Sequence, residues 1–93
     1  MSEKIAVQVK VTGRVQGVFF RAETRKAAQK FRLEGFVKNM PDGSVQALLQ
    51  GSRKNVDQML EWCWQGSPLS GVDGVNSQPI AVQPDIMGFD IRY

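Results

Sequence analysis

Residues 5–21 read IAVQVKVTGRVQGVFFR, and the first half of this stretch alternates strictly between two kinds of side chain. Branched apolar residues occupy every second position from Ile5 to Val11, with smaller or polar residues between them. A period of two is typical of a β-strand that buries one face. We therefore predict a first strand here. Its predicted outward face carries Ala6, Gln8, Lys10 and Thr12.

The second half of the stretch, GRVQGVFFR over residues 13–21, is an unusual connection from a strand to a helix. It contains no Asn, Asp, Ser or Pro, although the first three commonly cap helices. A helix start leaves about four backbone N–H groups without partners. We therefore expect Gly17 to let the amides of Gln16 through Arg21 converge on an anion, with the Arg21 guanidinium adding a charge-assisted contact.

A purely structural interpretation of the same loop stays open at this point. In that interpretation Gly13 ends the strand, Gly17 forms a turn and Arg21 is a solvated helix residue. Phe20 fits the buried stripe of the helix that follows, while Phe19 walls the loop. The residue pattern alone does not separate this interpretation from an anion site.

Apolar spacing and turn residues predict the next two elements. Apolar residues at helical spacing indicate a first helix from about Arg21 to Arg32. In LEGFVKNMPDGSVQALLQG, two strand-like runs flank the turn MPDGS, whose proline and glycine favour a tight reversal. This segment is therefore predicted to form a hairpin.

The C-terminal half is predicted to contain a second helix and two more strands. The helix starts after Ser52 as its N-cap and stops at Gly66. The strands cover 75–83 and 89–92, and Pro79 argues that the longer one lies at a sheet edge or carries a bulge.

The predicted order is strand, helix, strand, strand, helix, strand, followed by a short extra strand. Such an α+β chain packs two helices on one face of an antiparallel sheet. A right-handed crossover through the first helix makes the first and second strands parallel, so their carboxyl ends meet at one edge of the sheet. The loop 13–21 and Asn39 are therefore expected at the same edge.

Composition is consistent with one small domain over residues 1–93. The net charge of +3 mildly favours anionic partners, but the basic residues are too scattered for a nucleic-acid groove. One cysteine and no histidine leave no metal-ligand set, so we expect neither metal nor cofactor. The N-terminus has no long apolar run, so we expect no membrane span and no signal peptide, and a single cysteine fits a reducing cytoplasm. The sequence leaves the oligomeric state open, and a monomer is the default expectation.

Four segments taken together resemble the acylphosphatase family. They are GRVQGVFFR, LEGFVKNMPDGSV, a helix ending in WCWQGSP, and FDIRY at the C-terminus. The pairing of Gly-x-Val-Gln-Gly-Val-x-Phe-Arg with Gly-x-Val-x-Asn-x-x-x-Gly-x-Val is specific, and the similarity spans nearly the whole chain. The resemblance implies a ferredoxin-like α/β sandwich that hydrolyses acyl phosphates to a carboxylate and inorganic phosphate, which would also be a competitive inhibitor.

The resemblance also implies roles for individual residues. The family's catalytic arginine and asparagine correspond to Arg21 and Asn39. The family's phosphate-binding loop corresponds to Val15, Gln16, Gly17, Val18, Phe19 and Phe20. Phe19 and Phe36 lie where the family tolerates variation, so they are candidates for tuning substrate shape.

The chemistry of an acyl phosphate agrees with the absence of histidine. Its leaving group is a weakly basic carboxylate, so an enzyme needs mainly to neutralise the phosphate and position a water molecule. Asn39 is expected to orient that water, and a phosphate oxygen to accept its proton. Asp42 is expected to form the turn instead of acting as a base. Cys63 is expected to be buried and inert, and one of Trp62 and Trp64 to be partly exposed.

Two other classes of protein share parts of this pattern. RNA-recognition domains use the same element order and stack bases on outward aromatic residues of their central strands. The predicted outward face of the first strand and the segment SVQALLQ carry no aromatic residue, which weighs against RNA binding. A non-catalytic anion-binding domain that keeps the loop is the other alternative, and an assay with benzoyl phosphate separates it from an enzyme.

Overall fold

The computed structural model describes residues 3–93, so Met1 and Ser2 of the predicted domain lie outside the described residues. Its elements in chain order are β1 (Lys4–Arg14), α1 (Phe20–Lys30), β2 (Glu34–Asn39), β3 (Val45–Ser52), α2 (Arg53–Gln65), β4 (Gly71–Ile80) and β5 (Phe89–Arg92). This order confirms the prediction. Within the described range, neither helix has the length and apolar character needed to cross a bilayer.

The sheet has the strand order β4-β1-β3-β2-β5. β3 lies between β1 and β2 and is antiparallel to both, so β1 and β2 run in the same direction and end at the same edge, as predicted. β5 pairs with β2 in parallel, which makes the sheet mixed where an antiparallel sheet was expected. β4 is an edge strand, and this confirms the position expected for Pro79.

Two predicted boundaries move for identifiable reasons. α1 ends at Lys30 instead of Arg32, because Arg32 adopts a left-handed conformation with φ 57°. β4 covers Gly71–Ile80 instead of 75–83, because its partner β1 pairs with it from Ala6 to Arg14.

Both helices pack against the face of the sheet that carries the alternating branched residues. The core of this layer includes Val9, Val11, Val37, Leu49, Ala28, Val56 and Met59. α2 follows the predicted helical spacing, and its start is capped by Ser52, whose hydroxyl accepts the Asn55 N–H at 3.2 Å. Cys63 lies in this core, where burial raises the pKa of its thiol to about 12. Trp64 is exposed and Trp62 packs against the core, as expected for this pair.

The opposite face of the sheet carries Ala6, as predicted, but this face is partly covered, so Ala6 is not exposed. Ala6 pairs with Gln50 in the neighbouring strand, and both are almost completely buried. The side-chain amide of Gln50 donates to the Gln83 carbonyl at 3.0 Å and accepts the Gln83 N–H at 2.7 Å. The chain after β4 therefore folds over this end of the face, whereas Gln8 and Lys10 remain exposed.

Candidate active site

The loop between β1 and α1 has an alternating backbone conformation. Gly17 and Phe19 have positive φ angles of 73° and 60°. Val18 lies between them and Phe20 follows Phe19, and neither of these two residues has a positive φ angle. Such alternation turns successive N–H groups toward one side and forms an anion-binding concavity called a nest. A Cβ at Gly17 would meet no atom within 4 Å, so this position favours glycine for its backbone conformation and not for lack of space.

The N–H groups of residues 16–21 have no acceptor among the residues that the structure describes. Within the same range, no side chain caps α1. Across residues 3–93, neither a carbonyl nor a side chain accepts a hydrogen bond from the N–H groups of residues 16–21. Among the described residues α1 therefore lacks a side-chain cap, as the sequence predicted. Its N–H donors remain available to an external acceptor.

Two adjacent phenylalanines in the loop have opposite environments. Phe20 is 2% exposed and its ring centroid lies 5.8 Å from that of Trp62, in agreement with its predicted place in the core. Phe19 is 74% exposed and holds the left-handed conformation at the N-cap of α1. That conformation costs an L-residue roughly 1–2 kcal/mol. Phe19 therefore adopts a strained backbone without the compensation of a buried ring.

Side chains outside the nest hold the loop in place. The side-chain amide of Gln16 donates to the carbonyls of Met40 and Ser44, both at 2.8 Å. The hydroxyl of Ser67 donates to the carbonyl of Val18 at 2.8 Å. Val15 and Val18 contribute buried side chains, which anchor the loop in the core. The side-chain role of Gln16 was not predicted.

Arg21 lies in the first turn of α1 beside a cavity of about 290 Å³. The cavity is lined by Gly17, Phe19, Phe20, Arg21, Ala22, Ile91 and Tyr93. One guanidinium nitrogen of Arg21, Nη1, donates to the Arg92 carbonyl at 3.4 Å, and the group lies 4.7 Å from the centroid of the Tyr93 ring. None of the ion pairs among the described residues includes Arg21, so its charge faces the cavity without a carboxylate partner.

Asn39 is the last residue of β2 and lies at the end of the strands where the loop also lies. It does not line the cavity beside Arg21. Its Oδ1 atom is buried and has no hydrogen-bond partner among the described residues. A buried acceptor left in this state costs about 1–3 kcal/mol, so it is a strong site for an external donor such as water. Gln16 connects the two regions, because its amide binds the carbonyl of Met40, the residue after Asn39.

Phe36 does not line the cavity beside Arg21, and the role in substrate shape implied by the family resemblance stays a prediction. Its ring is stacked under the guanidinium of Arg92, 3.9 Å from the ring centroid. Successive residues of a strand point to opposite faces, so Phe36 and Asn39, an odd number of positions apart, face opposite sides of β2. The opposite orientation of Phe36 and Asn39 could be predicted from their spacing in the sequence.

Asp42 belongs to the turn between β2 and β3, as predicted. Its carboxylate accepts hydrogen bonds from the Ser44 hydroxyl and from the Ser44 N–H at 2.9 Å, and it pairs with Lys10 Nζ at 2.9 Å. The Ser44 hydroxyl bond, followed by the Lys10 contact, holds the pKa of Asp42 well below its usual range. A carboxylate with a lowered pKa is a poor general base at neutral pH.

Residues 3–93 contain no cluster of three or more His, Cys, Asp or Glu side chains able to hold a metal ion. The candidate groups at this end of the sheet are the backbone donors of the loop, the Arg21 guanidinium and the side-chain amide of Asn39. These groups can stabilise a tetrahedral anion and position a water molecule.

The fold is a ferredoxin-like α/β sandwich, with a site at the sheet edge suited to an anion. A model of the acylphosphatase family matches residues 7–91. The chain is 42% identical over 95 residues to an acylphosphatase of Natronomonas pharaonis, covering 99% of each chain. It is also 42% identical over 86 residues to an acylphosphatase of Rubrobacter xylanophilus, covering 92% of this chain and 78% of that one.

A solved structure gives the same result. The structure of an acylphosphatase from Coxiella burnetii superposes with a TM-score of 0.91 at 39% identity, covering 96% of this chain and 93% of that chain. The chain therefore belongs to the acylphosphatase family. Its enzyme class follows from this membership: it is a hydrolase that acts on acid anhydrides.

Proposed function

We propose that this chain hydrolyses small-molecule acyl phosphates and binds their phosphoryl group in the loop between β1 and α1. The observation that carries the proposal is the nest of N–H groups from residues 16–21, which have no acceptor within residues 3–93 and adjoin the cavity of Arg21. A phosphoryl group supplies the missing acceptors at a helix start. The Arg21 guanidinium adds charge-assisted hydrogen bonds, each with a net contribution of about 1.5–3 kcal/mol.

Asn39 orients the attacking water in this proposal. Its buried Oδ1 accepts one hydrogen of the water, which directs the oxygen lone pair toward phosphorus. As the water oxygen bonds to phosphorus, the bond from phosphorus to the acyl oxygen breaks and a carboxylate leaves. A phosphate oxygen of the substrate takes the proton of the water. No protein base is needed, which is consistent with the turn role of Asp42.

The first test measures hydrolysis of benzoyl phosphate by absorbance, with and without inorganic phosphate. Because product phosphate occupies the same nest, it is expected to act as a competitive inhibitor that raises KM and leaves kcat unchanged. Asn39→Ala is expected to lower kcat about 100-fold with little change in KM, as for a donor or acceptor used mainly in the transition state.

The matched control for Asn39 is Asn76→Ala, an exposed asparagine on the edge strand β4. It should retain the parent kinetics. Noncompetitive inhibition by phosphate would contradict the binding site, and a parent-like kcat in Asn39→Ala would contradict the water-positioning role. Elution of the active protein at the size of a monomer is expected under the same conditions.

A further inference from the structure

The cavity beside Arg21 has two chemically different walls. The first, its anion-binding wall, consists of the backbone near Gly17 and the guanidinium of Arg21. The second, its apolar wall, consists of Phe19, Ala22, Ile91 and Tyr93, and Tyr93 lies next to Arg21. A cavity of about 290 Å³ suits a small ligand, and its two walls suit one with an anionic end and an apolar end.

Packing among the described residues does not explain the exposed ring of Phe19 in this cavity. Its φ of 60° is a conformation that glycine and asparagine adopt more readily than phenylalanine. Its ring is 74% exposed, so it gains little by burial, in contrast to the ring of Phe20 next to it. An exposed aromatic ring at a strained position beside a cavity is available for contact with a ligand.

Tyr93 supplies a second aromatic ring from a different part of the fold. It follows β5, is 97% exposed, and lies against the Arg21 guanidinium. Ile91 of the same strand is half-buried and packs against the core below it. The apolar wall therefore combines Ile91, which packs against the core, with the two exposed rings of Phe19 and Tyr93.

We propose that this wall is an acyl subsite that selects aromatic acyl phosphates over those with a short aliphatic acyl group. The inference rests on the proposed function, since it assumes that the phosphoryl group lies against Gly17 and Arg21. With the phosphoryl group there, the acyl group extends from the anion-binding wall toward Phe19 and Tyr93. An aromatic acyl group removes its own surface and that of both rings from water, whereas an acetyl group covers much less.

The test is the ratio of kcat/KM for benzoyl phosphate to kcat/KM for acetyl phosphate, compared between variants. Comparing variants cancels the different intrinsic reactivities of the two substrates. Phe19→Asn removes the ring and keeps a residue that tolerates a positive φ. Because an aromatic contact of this kind is weak, the ratio is expected to fall about fivefold in this variant.

Two further variants make the result specific. Trp64→Ala removes an exposed aromatic side chain at the end of α2, outside the cavity, and should leave the ratio unchanged. Tyr93→Ala should lower the ratio in the same direction as Phe19→Asn, whatever its effect on the absolute rates through Arg21. It also serves if Phe19→Asn fails to give the parent circular dichroism spectrum.

The outcomes separate this inference from the proposed function. An unchanged ratio in folded Phe19→Asn, with both substrates hydrolysed, overturns the acyl subsite and leaves the proposed function standing. Hydrolysis of neither substrate by the parent protein overturns the proposed function and the subsite with it. A ratio that falls in both cavity variants and not in Trp64→Ala supports the subsite.

Discussion

Helix α2 begins with a hydroxyl cap, whereas α1 begins with Phe19 in a left-handed conformation and no capping side chain. The Ser52 cap satisfies an N–H group locally and adds to stability. The start of α1 leaves its donors without acceptors and keeps the charge of Arg21 beside them. The start of α2 is thus closed by a side chain, whereas among the described residues the start of α1 stays open, with its N–H donors beside the cavity.

The largest effect is expected from removing the charge at the open helix start. Arg21→Ala should lower kcat/KM for benzoyl phosphate by about 10³, because an arginine stabilising phosphoryl-transfer charge commonly contributes this much or more. Inhibition by inorganic phosphate should weaken with it.

The control for Arg21 is Arg25→Ala, one turn further along α1 and exposed. It removes the same charge from the protein without touching the cavity, so its kcat/KM should stay near the parent value. Equal losses in the two variants would mean that net charge, and not the position of Arg21, governs activity.

A smaller effect is expected from loosening the open start without changing its charge. Gln16→Ala removes the two hydrogen bonds to Met40 and Ser44. Both carbonyls keep backbone partners, so the loss in free energy of unfolding should be about 1–2 kcal/mol. Because the loop loses its connection beside Asn39, KM should also rise.

Urea denaturation and steady-state kinetics measure these two changes together. Gln78→Ala, an exposed glutamine on β4, is the control and should alter neither quantity. A loss of stability in Gln16→Ala without any change in KM would show that the contact is structural alone.

The smallest effect is expected at the closed helix start. Ser52→Ala should lower the free energy of unfolding by about 1 kcal/mol, since the Asn55 N–H loses its acceptor. Kinetics should be unchanged, because α2 begins far from the cavity lining. Urea denaturation checks the first expectation and the benzoyl phosphate assay the second; a raised KM would mean that the two starts are coupled.

Local patterns predicted most of the elements. The alternation in β1, the Ser52 cap and the Gly66 stop are properties of short segments, and each appears in the structure. The lack of capping residues in the loop was equally visible, because none of the nine residues 13–21 is Asn, Asp, Ser or Pro. The roles of Arg21 and Asn39 stay predictions that the experiments above test.

Contacts between segments that are far apart in the chain were harder to predict from the sequence. Ala6 is buried because Gln50 and Gln83 meet above it, and no pattern within β1 indicates that cover. The Gln16 amide reaches residues 24 and 28 positions away, and a glutamine in a loop has no periodicity that reveals its partner. The parallel pairing of β5 with β2 likewise depends on where the last segment crosses the sheet.

The position of Cys63 has a practical consequence for spectroscopy. Its sulfur is buried in the helix layer, and the raised pKa of the Cys63 thiol keeps it protonated. Maleimide reagents should therefore leave the native protein unmodified. A cysteine introduced at an exposed position would then be the sole target for a fluorophore or spin probe. Motions of the loop before α1 could be followed in this way without first deleting a native thiol.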